Sequence, residues 1–85
     1  MQAEGDYKHL HHRGRYRVVR EFSDFDDVVH SVGEEWTYDH YTYYFYEGGH
    51  TFHVERPDGS AFVWRLAYGV NQEVLDNLEE YIREL

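Results

Sequence analysis

The segment 35–46 constrains the fold more than any other part of the sequence, because nearly all of its residues are aromatic or β-branched. Side chains of this kind favour strands over helices. We therefore predict one long bent strand, or two short ones, across 35–46. The residues that carry this prediction are Trp36, Thr37, Tyr38, Tyr41, Thr42, Tyr43, Tyr44, Phe45 and Tyr46.

Alternation along such a strand predicts two faces, of which only one can belong to the core. The other would expose aromatic area, and exposed tyrosine is favoured at recognition surfaces. Alternatively, the C-terminal helix or the N-terminal segment covers it, and homodimerisation through the strand would satisfy both interpretations. Tyr41, Tyr43 and Phe45 would lie on one side, and Thr42, Tyr44 and Tyr46 on the other. The candidates for an interaction surface are Tyr41, Tyr43, Tyr44 and Tyr46.

Shorter strands and tight turns are predicted on both sides of this segment. Residues 16–22 carry the apolar side chains of a first strand, and residues 51–55 and 62–68 alternate in the manner of strands. The glycines within 47–50 supply the reversal for a hairpin, and the Pro-Asp-Gly sequence within 56–60 supplies a second one. We expect a mainly β (α+β) fold, either a small SH3-like barrel or a strongly curled antiparallel sheet of about four or five strands.

A C-terminal amphipathic helix is predicted over 71–85. Asn71 can accept the first free amide of the helix, and Glu73 lies in the favourable first turn. The polar, histidine-rich residues 1–14 are predicted to form a flexible arm, which leaves 15–85 as a single domain. The apolar face of the helix, expected to pack on the sheet, comprises Val74, Leu75, Leu78, Tyr81, Ile82 and Leu85.

The charge balance constrains the class of binding partner rather than the fold. The 85 residues include 17 acidic and 8 basic side chains, a formal net charge of −9. Such a chain repels phosphate backbones and anionic lipid and attracts basic proteins. Direct nucleic-acid and membrane binding are therefore disfavoured, and a basic protein is the favoured partner. The absence of cysteine, of a long apolar stretch and of a signal-peptide pattern predicts a cytoplasmic protein.

Four stretches resemble a bacterial family of small uncharacterised domains. They are residues 15–26, 30–38, 46–52 and 77–82. The most specific part is the Gly-Glu-x-Trp step formed by Gly33, Glu34 and Trp36. The resemblance would span roughly residues 13–83 and implies a compact bacterial module. Because the family has no assigned activity, the resemblance transfers no catalytic residue to this chain.

An acidic cluster follows the first predicted strand. Asp24, Asp26 and Asp27 superficially resemble the start of a calcium loop, but Val28 and Val29 stand where an oxygen ligand and glycine belong. These two valines therefore exclude an EF-hand. The cluster is either a turn in which aspartates cap local amides, or an acidic knob that addresses a basic partner. Asp24, Asp26 and Asp27 are accordingly further candidates for the interaction surface.

The histidines do not predict a metal site. His9, His11 and His12 lie in the predicted arm, where ordering entropy opposes binding and nothing orients the ligands. His50 and His53 are three residues apart on a strand and should therefore point to opposite faces. No metal ligands or cofactor-binding residues are assigned.

No catalytic residues are assigned either. The serines lack a strand-to-helix elbow, and adjacent carboxylates such as Glu34 and Glu35 do not converge on one substrate. The sequence therefore favours a non-enzymatic protein-interaction module. One alternative is an inhibitor of a basic partner, such as an immunity protein, an antitoxin or a phage counter-defence protein. A second alternative is a metal-dependent hydrolase.

Overall fold

The computed structural model describes residues 5–44 and 49–85. In chain order the elements are β1 Arg15–Val18, β2 Phe22–Ser23, β3 Val29–His30, β4 Glu35–Tyr44, β5 Gly49–Glu55, β6 Ala61–Ala67, α1 Gln72–Asp76, α2 Leu78–Tyr81 and β7 Ile82–Glu84. The mainly β prediction is confirmed.

The main sheet is open, so the predicted barrel or strongly curled sheet is wrong. Its strand order is β6-β5-β4-β1-β7, all neighbours are antiparallel, and the two outer strands do not pair with each other. Closure is opposed locally because other groups already bind the outer edge of β6. The amide of Phe25 donates to the Arg65 carbonyl at 2.8 Å, and Asn71 bonds both backbone groups of Ala67 at 2.9 Å.

Residues 35–44, the described part of the segment predicted as strand, form β4, which has an irregularity in its middle. Tyr38 faces Val54 of β5 and His40 faces His53, so Asp39 is the extra residue of a bulge. The bulge shifts the alternation by one residue. Tyr38 and Tyr41 therefore both contact the core, although simple alternation would place them on opposite faces.

The core lies on one face of the main sheet and is rich in aromatic side chains. Helices α1 and α2, the small β2–β3 hairpin and the N-terminal segment cover this face. The buried apolar residues are Leu10, Tyr16, Val18, Phe22, Trp36, Tyr38, Phe52, Val54, Trp64, Leu66, Val74, Leu75, Leu78, Tyr81 and Ile82.

The N-terminal segment was predicted as a flexible arm, whereas its described part, residues 5–14, packs on the domain. Leu10 is completely buried in the core. The Tyr7 ring stacks on Tyr41 with centroids 4.5 Å apart, and the Lys8 ammonium donates to the Leu75 carbonyl. His9 Nε2 donates to the Ile82 carbonyl at 2.7 Å. The polar composition of the segment concealed the contribution of its single leucine.

The single C-terminal helix predicted over 71–85 is wrong. The chain forms two short helices that meet at Asn77 and then the edge strand β7, which pairs with β1. Asn71 makes no helix-capping bond and instead joins β6 to the Ser23 carbonyl. Pairing with β1 places Arg83 opposite Arg17, and the Leu85 amide donates to the Arg15 carbonyl at 2.9 Å. These backbone contacts take the place of continued helix formation.

The first strand is also shorter than predicted, because β1 ends at Val18. The amides of Val19 and Arg20 both donate to the Tyr81 carbonyl, which turns the chain away from the sheet. The second predicted turn is confirmed. Gly59 has a φ of +89°, and its amide donates to the Arg56 carbonyl at 2.8 Å between β5 and β6.

Truncation of Leu10 tests whether the N-terminal segment is part of the fold. Leu10→Ala should lower the free energy of unfolding by about 2–5 kcal/mol, because it removes a fully buried side chain. Urea denaturation measures this change. Val70→Ala, at a side chain that is 72% exposed, is the control and should change the value by less than about 0.5 kcal/mol. Equal stability of the two variants would contradict the packed segment.

Candidate functional site

A buried histidine joins two carboxylates at one end of the main sheet. The side chain of His30 is 1% exposed and lies at the end of β3. Its Nε2–H donates to Asp24 at 2.8 Å, and its Nδ1–H donates to Glu34 at 2.7 Å. The ring stacks on Phe22 and lies 5.2 Å from the Trp64 ring. When both carboxylates are ionised, both ring nitrogens act as donors, which requires the charged imidazolium.

The surroundings of His30 determine its charge. Burial alone would lower the pKa of His30, because it penalises the charged ring. The hydrogen bonds to Glu34 and Asp24, together with their negative charges, outweigh burial, and the pKa of His30 is raised above its ordinary value. One imidazolium between two carboxylates leaves this cluster with a net charge of −1.

Glu34 connects the buried cluster to the surface. Its Oε2 accepts hydrogen bonds from His30 and, at 3.2 Å, from the Trp36 indole. The Glu34 side chain is nevertheless 31% exposed. Two donors therefore fix the orientation of a carboxylate that solvent and a ligand can still reach.

The exposed part of Glu34 borders a groove with a volume of about 300 Å³. Its walls are mostly apolar, and the guanidinium of Arg56 lies 4.0 Å from the centroid of the Phe62 ring. Glu35 pairs with Arg17 at 2.5 Å. The residues lining the groove are Val28, Glu34, Glu35, Trp36, Arg56, Pro57 and Phe62. We call this surface the Glu34 groove.

The structure separates the predicted acidic cluster into different roles. Asp24 is buried and bonds His30, and its other oxygen accepts the amides of Asp26 and Val28 at 2.8 and 3.0 Å. The Asp26 carboxylate pairs with Arg65 at 2.7 Å, an interaction that lowers the pKa of Asp26. Asp27 is exposed, with a φ of +63°. Asp24 thus caps the turn from within, and Asp26 and Asp27 remain exposed.

The tyrosines predicted to form an interaction surface also differ from one another in burial. Tyr41 is half-buried beneath Tyr7, so part of the N-terminal segment covers it, and its hydroxyl lies 2.6 Å from His50 Nδ1. Tyr43 is 44% exposed, and its ring contacts those of His50 and Tyr68. Tyr46 and the side chain of Tyr44 lie outside the described part of the chain.

The two histidines of β5 point to opposite faces of the sheet. His50 is buried among the tyrosines, and its pKa is lowered by burial and by the charge of Lys8. His53 stacks on His40 on the other face, with ring centroids 3.9 Å apart. Within residues 5–44 and 49–85, no group of three or more His, Asp or Glu side chains could hold a metal ion.

Sequence reasoning missed the residues that form the groove. From the sequence, Glu34 is only one of two adjacent carboxylates that do not converge on a substrate, and His30 is not singled out. The Gly-Glu-x-Trp step at Gly33, Glu34 and Trp36 was the available signal, because it places a carboxylate and an indole two residues apart. Phe62 and Arg56 come from a distant hairpin, so only the tertiary fold brings them to this site.

The fold and the groove define a small domain with an open antiparallel sheet covered on one face. No protein-family model and no curated protein matches the chain. Among solved structures, the integron cassette protein VCH_CASS4 from the mobile metagenome of Vibrio cholerae is similar, with a TM-score of 0.88 and 24% sequence identity. The match covers 96% of this chain and 92% of that one. This likeness establishes a shared fold.

In the described part of the chain, no helix has the length and apolarity needed to cross a membrane.

The His30 cluster predicts a pH-dependent stability. Since the folded-state pKa of His30 is raised above 6.5, its contribution is fully present below about pH 6.5 and is lost as the pH rises through the folded-state pKa. His30→Gln should cost about 3–5 kcal/mol at pH 6, because it leaves two carboxylates without their shared cation. This cost should shrink towards pH 9.

Urea denaturation from pH 6 to pH 9 measures this difference between the variant and the wild type. His12→Gln, at a histidine whose side chain is 59% exposed, should change the free energy of unfolding by less than about 0.5 kcal/mol throughout. A cost of His30→Gln that is independent of pH would show that folding does not raise the pKa of His30.

Proposed function

We propose that this protein is a non-enzymatic interaction module that binds a basic protein through the Glu34 groove. The observation that carries the proposal is an accessible carboxylate held in a fixed orientation beside apolar walls. A site of this kind fits a side chain with an apolar stem and a cationic head. We further propose a bacterial, cytoplasmic setting, and the fold shared with a Vibrio cholerae protein supports the bacterial part.

Preorganisation supports binding at Glu34. His30 and Trp36 already hold the Glu34 carboxylate. Binding of a ligand therefore costs little further side-chain entropy at Glu34. The His30 cluster keeps a net charge of −1 at the groove, and the chain as a whole carries −9. These charges attract a basic partner over a distance and orient it on approach.

The same geometry supports a binding role over a catalytic one. Both nitrogens of His30 are bonded to carboxylates, and the side chain is 1% exposed. His30 therefore cannot exchange a proton with a molecule in the groove unless the cluster breaks. Its role is to orient Glu34.

A second candidate is an inhibitor of a basic effector, such as an immunity protein, an antitoxin or a phage counter-defence protein. The net charge of −9 favours this candidate, because it would mask a basic surface. The two candidates share the binding surface and differ in the consequence of binding. An inhibitor should abolish the activity of its partner at a 1:1 ratio, whereas an adaptor should leave that activity intact.

The charge of Glu34 is the first test of the proposed function. Glu34→Gln should weaken binding of a nine-residue peptide of alternating arginine and alanine by about 10- to 100-fold, the value of a charge-assisted hydrogen bond. Glu80→Gln removes the same charge at an exposed position on α2 and should change the affinity by less than about twofold. Isothermal titration calorimetry measures both affinities.

Urea denaturation of Glu34→Gln at the titration pH shows whether the variant remains folded. An equal loss of affinity in the Glu34 and Glu80 variants would show that binding depends on overall charge. It would refute binding of the peptide in the Glu34 groove. Wild-type affinity of a folded Glu34→Gln variant would also refute binding in the Glu34 groove.

A further inference from the structure

A side chain of the protein itself lies on the aromatic wall of the Glu34 groove. Arg56 follows β5, at the start of the turn to β6, and its guanidinium stacks 4.0 Å from the Phe62 ring centroid. The Arg56 residue is exposed, and Phe62 is half-buried against the core. The wall is therefore already occupied by the kind of cation that the groove would receive from a partner.

Arg56 differs from two other arginines, Arg17 and Arg65, in that no carboxylate of the described residues pairs with it. Arg17 has Glu35 as an ion-pair partner, and Arg65 has Asp26. No ion pair within 4.0 Å joins Arg56 to a carboxylate of residues 5–44 or 49–85. Its guanidinium interacts with the Phe62 ring and, without forming an ion pair, with the charge of Asp58.

We propose that the groove selects arginine side chains of the basic partner, and that Arg56 occupies this position until a partner arginine displaces it. This inference rests on the proposed function and names the chemistry that it recognises. The incoming guanidinium would stack on Phe62, as Arg56 does, and would also bond the accessible part of the Glu34 carboxylate. It gains a charge-assisted contact that Arg56 lacks, and this difference drives the exchange.

The geometry favours arginine over lysine. A guanidinium is planar, so it can stack on an aromatic ring and donate in its own plane to a carboxylate at the same time. An ammonium is a compact point charge without a face to stack. The groove offers both kinds of contact, since Phe62 and Glu34 line the same space.

Displacement of Arg56 requires only a side-chain movement. The Arg56 amide donates to the Ser60 carbonyl at 2.9 Å, and the Gly59 amide donates back to the Arg56 carbonyl. The turn backbone therefore stays fixed while the exposed guanidinium moves into solvent. Two cations would repel each other in one groove, so Arg56 must leave when the partner arginine enters.

Removal of Arg56 tests this exchange. Arg56→Ala should raise the affinity for the arginine–alanine peptide by about 2- to 5-fold, the equivalent of one exposed cation–π contact. Arg20→Ala is the matched control, because Arg20 stacks on Tyr81 at 4.7 Å, does not line the groove and carries the same charge. It should change the affinity by less than about 1.5-fold. Isothermal titration calorimetry at one fixed salt concentration measures both.

Two further comparisons test whether the groove prefers arginine to lysine. The same peptide with lysine in place of arginine should bind the wild-type protein at least about threefold more weakly, because an ammonium cannot lie flat on Phe62 and donate in the same plane to Glu34. Phe62→Leu should remove most of the preference for arginine over lysine, since it replaces the ring with an aliphatic side chain of similar volume. Urea denaturation shows whether this variant remains folded.

The outcomes separate this inference from the proposed function. If Glu34→Gln has no effect on either peptide, the proposed function fails and this inference fails with it. If Glu34→Gln weakens binding but Arg56→Ala and Arg20→Ala behave alike, the groove binds basic partners and the exchange with Arg56 is refuted. Equal affinity of the arginine and lysine peptides for the wild-type protein would refute the selection of arginine.

Discussion

The burial of His30 between Asp24 and Glu34 is the interaction on which the site depends. It ties the small β2–β3 hairpin to the start of β4, and it brings an imidazolium against the rings of Phe22 and Trp64. A buried charge is tolerated only when its partners satisfy it, so the three ionisable groups act as one unit. Because Glu34 belongs to that unit and also reaches the surface, a structural cluster fixes the geometry of the Glu34 groove.

The bulge at Asp39 is a second constraint, and it explains how one strand can supply so many aromatic residues to a single core. Without it, Tyr38 and Tyr41 would lie on opposite faces of the sheet. With it, Tyr41 turns towards His50 and receives Tyr7 from the N-terminal segment. Much of the aromatic surface that a regular strand would expose is therefore buried within the chain.

These features change which surfaces are available for the proposed recognition. The candidate surface of tyrosines and aspartates is partly used for packing and turn capping, as Tyr41 and Asp24 show. The Glu34 groove combines a fixed carboxylate with aromatic walls, and it lies on an acidic protein whose charge favours basic partners. Arg56, stacked on Phe62, already demonstrates the contact that a partner arginine would make.

The sequence by itself determined the elements whose causes are local. The aromatic run produced β4, and Pro57 with Gly59 determined the turn between β5 and β6, because both depend on the conformational preferences of neighbouring residues. The tertiary structure decided the open sheet, the burial of Leu10 and the conversion of the predicted helix 71–85 into two short helices and β7. It also decided the groove, since Glu34 and Phe62 meet only when β6 packs beside the hairpin of His30. Such features depend on hydrogen bonds and contacts between distant residues, which local preference does not encode.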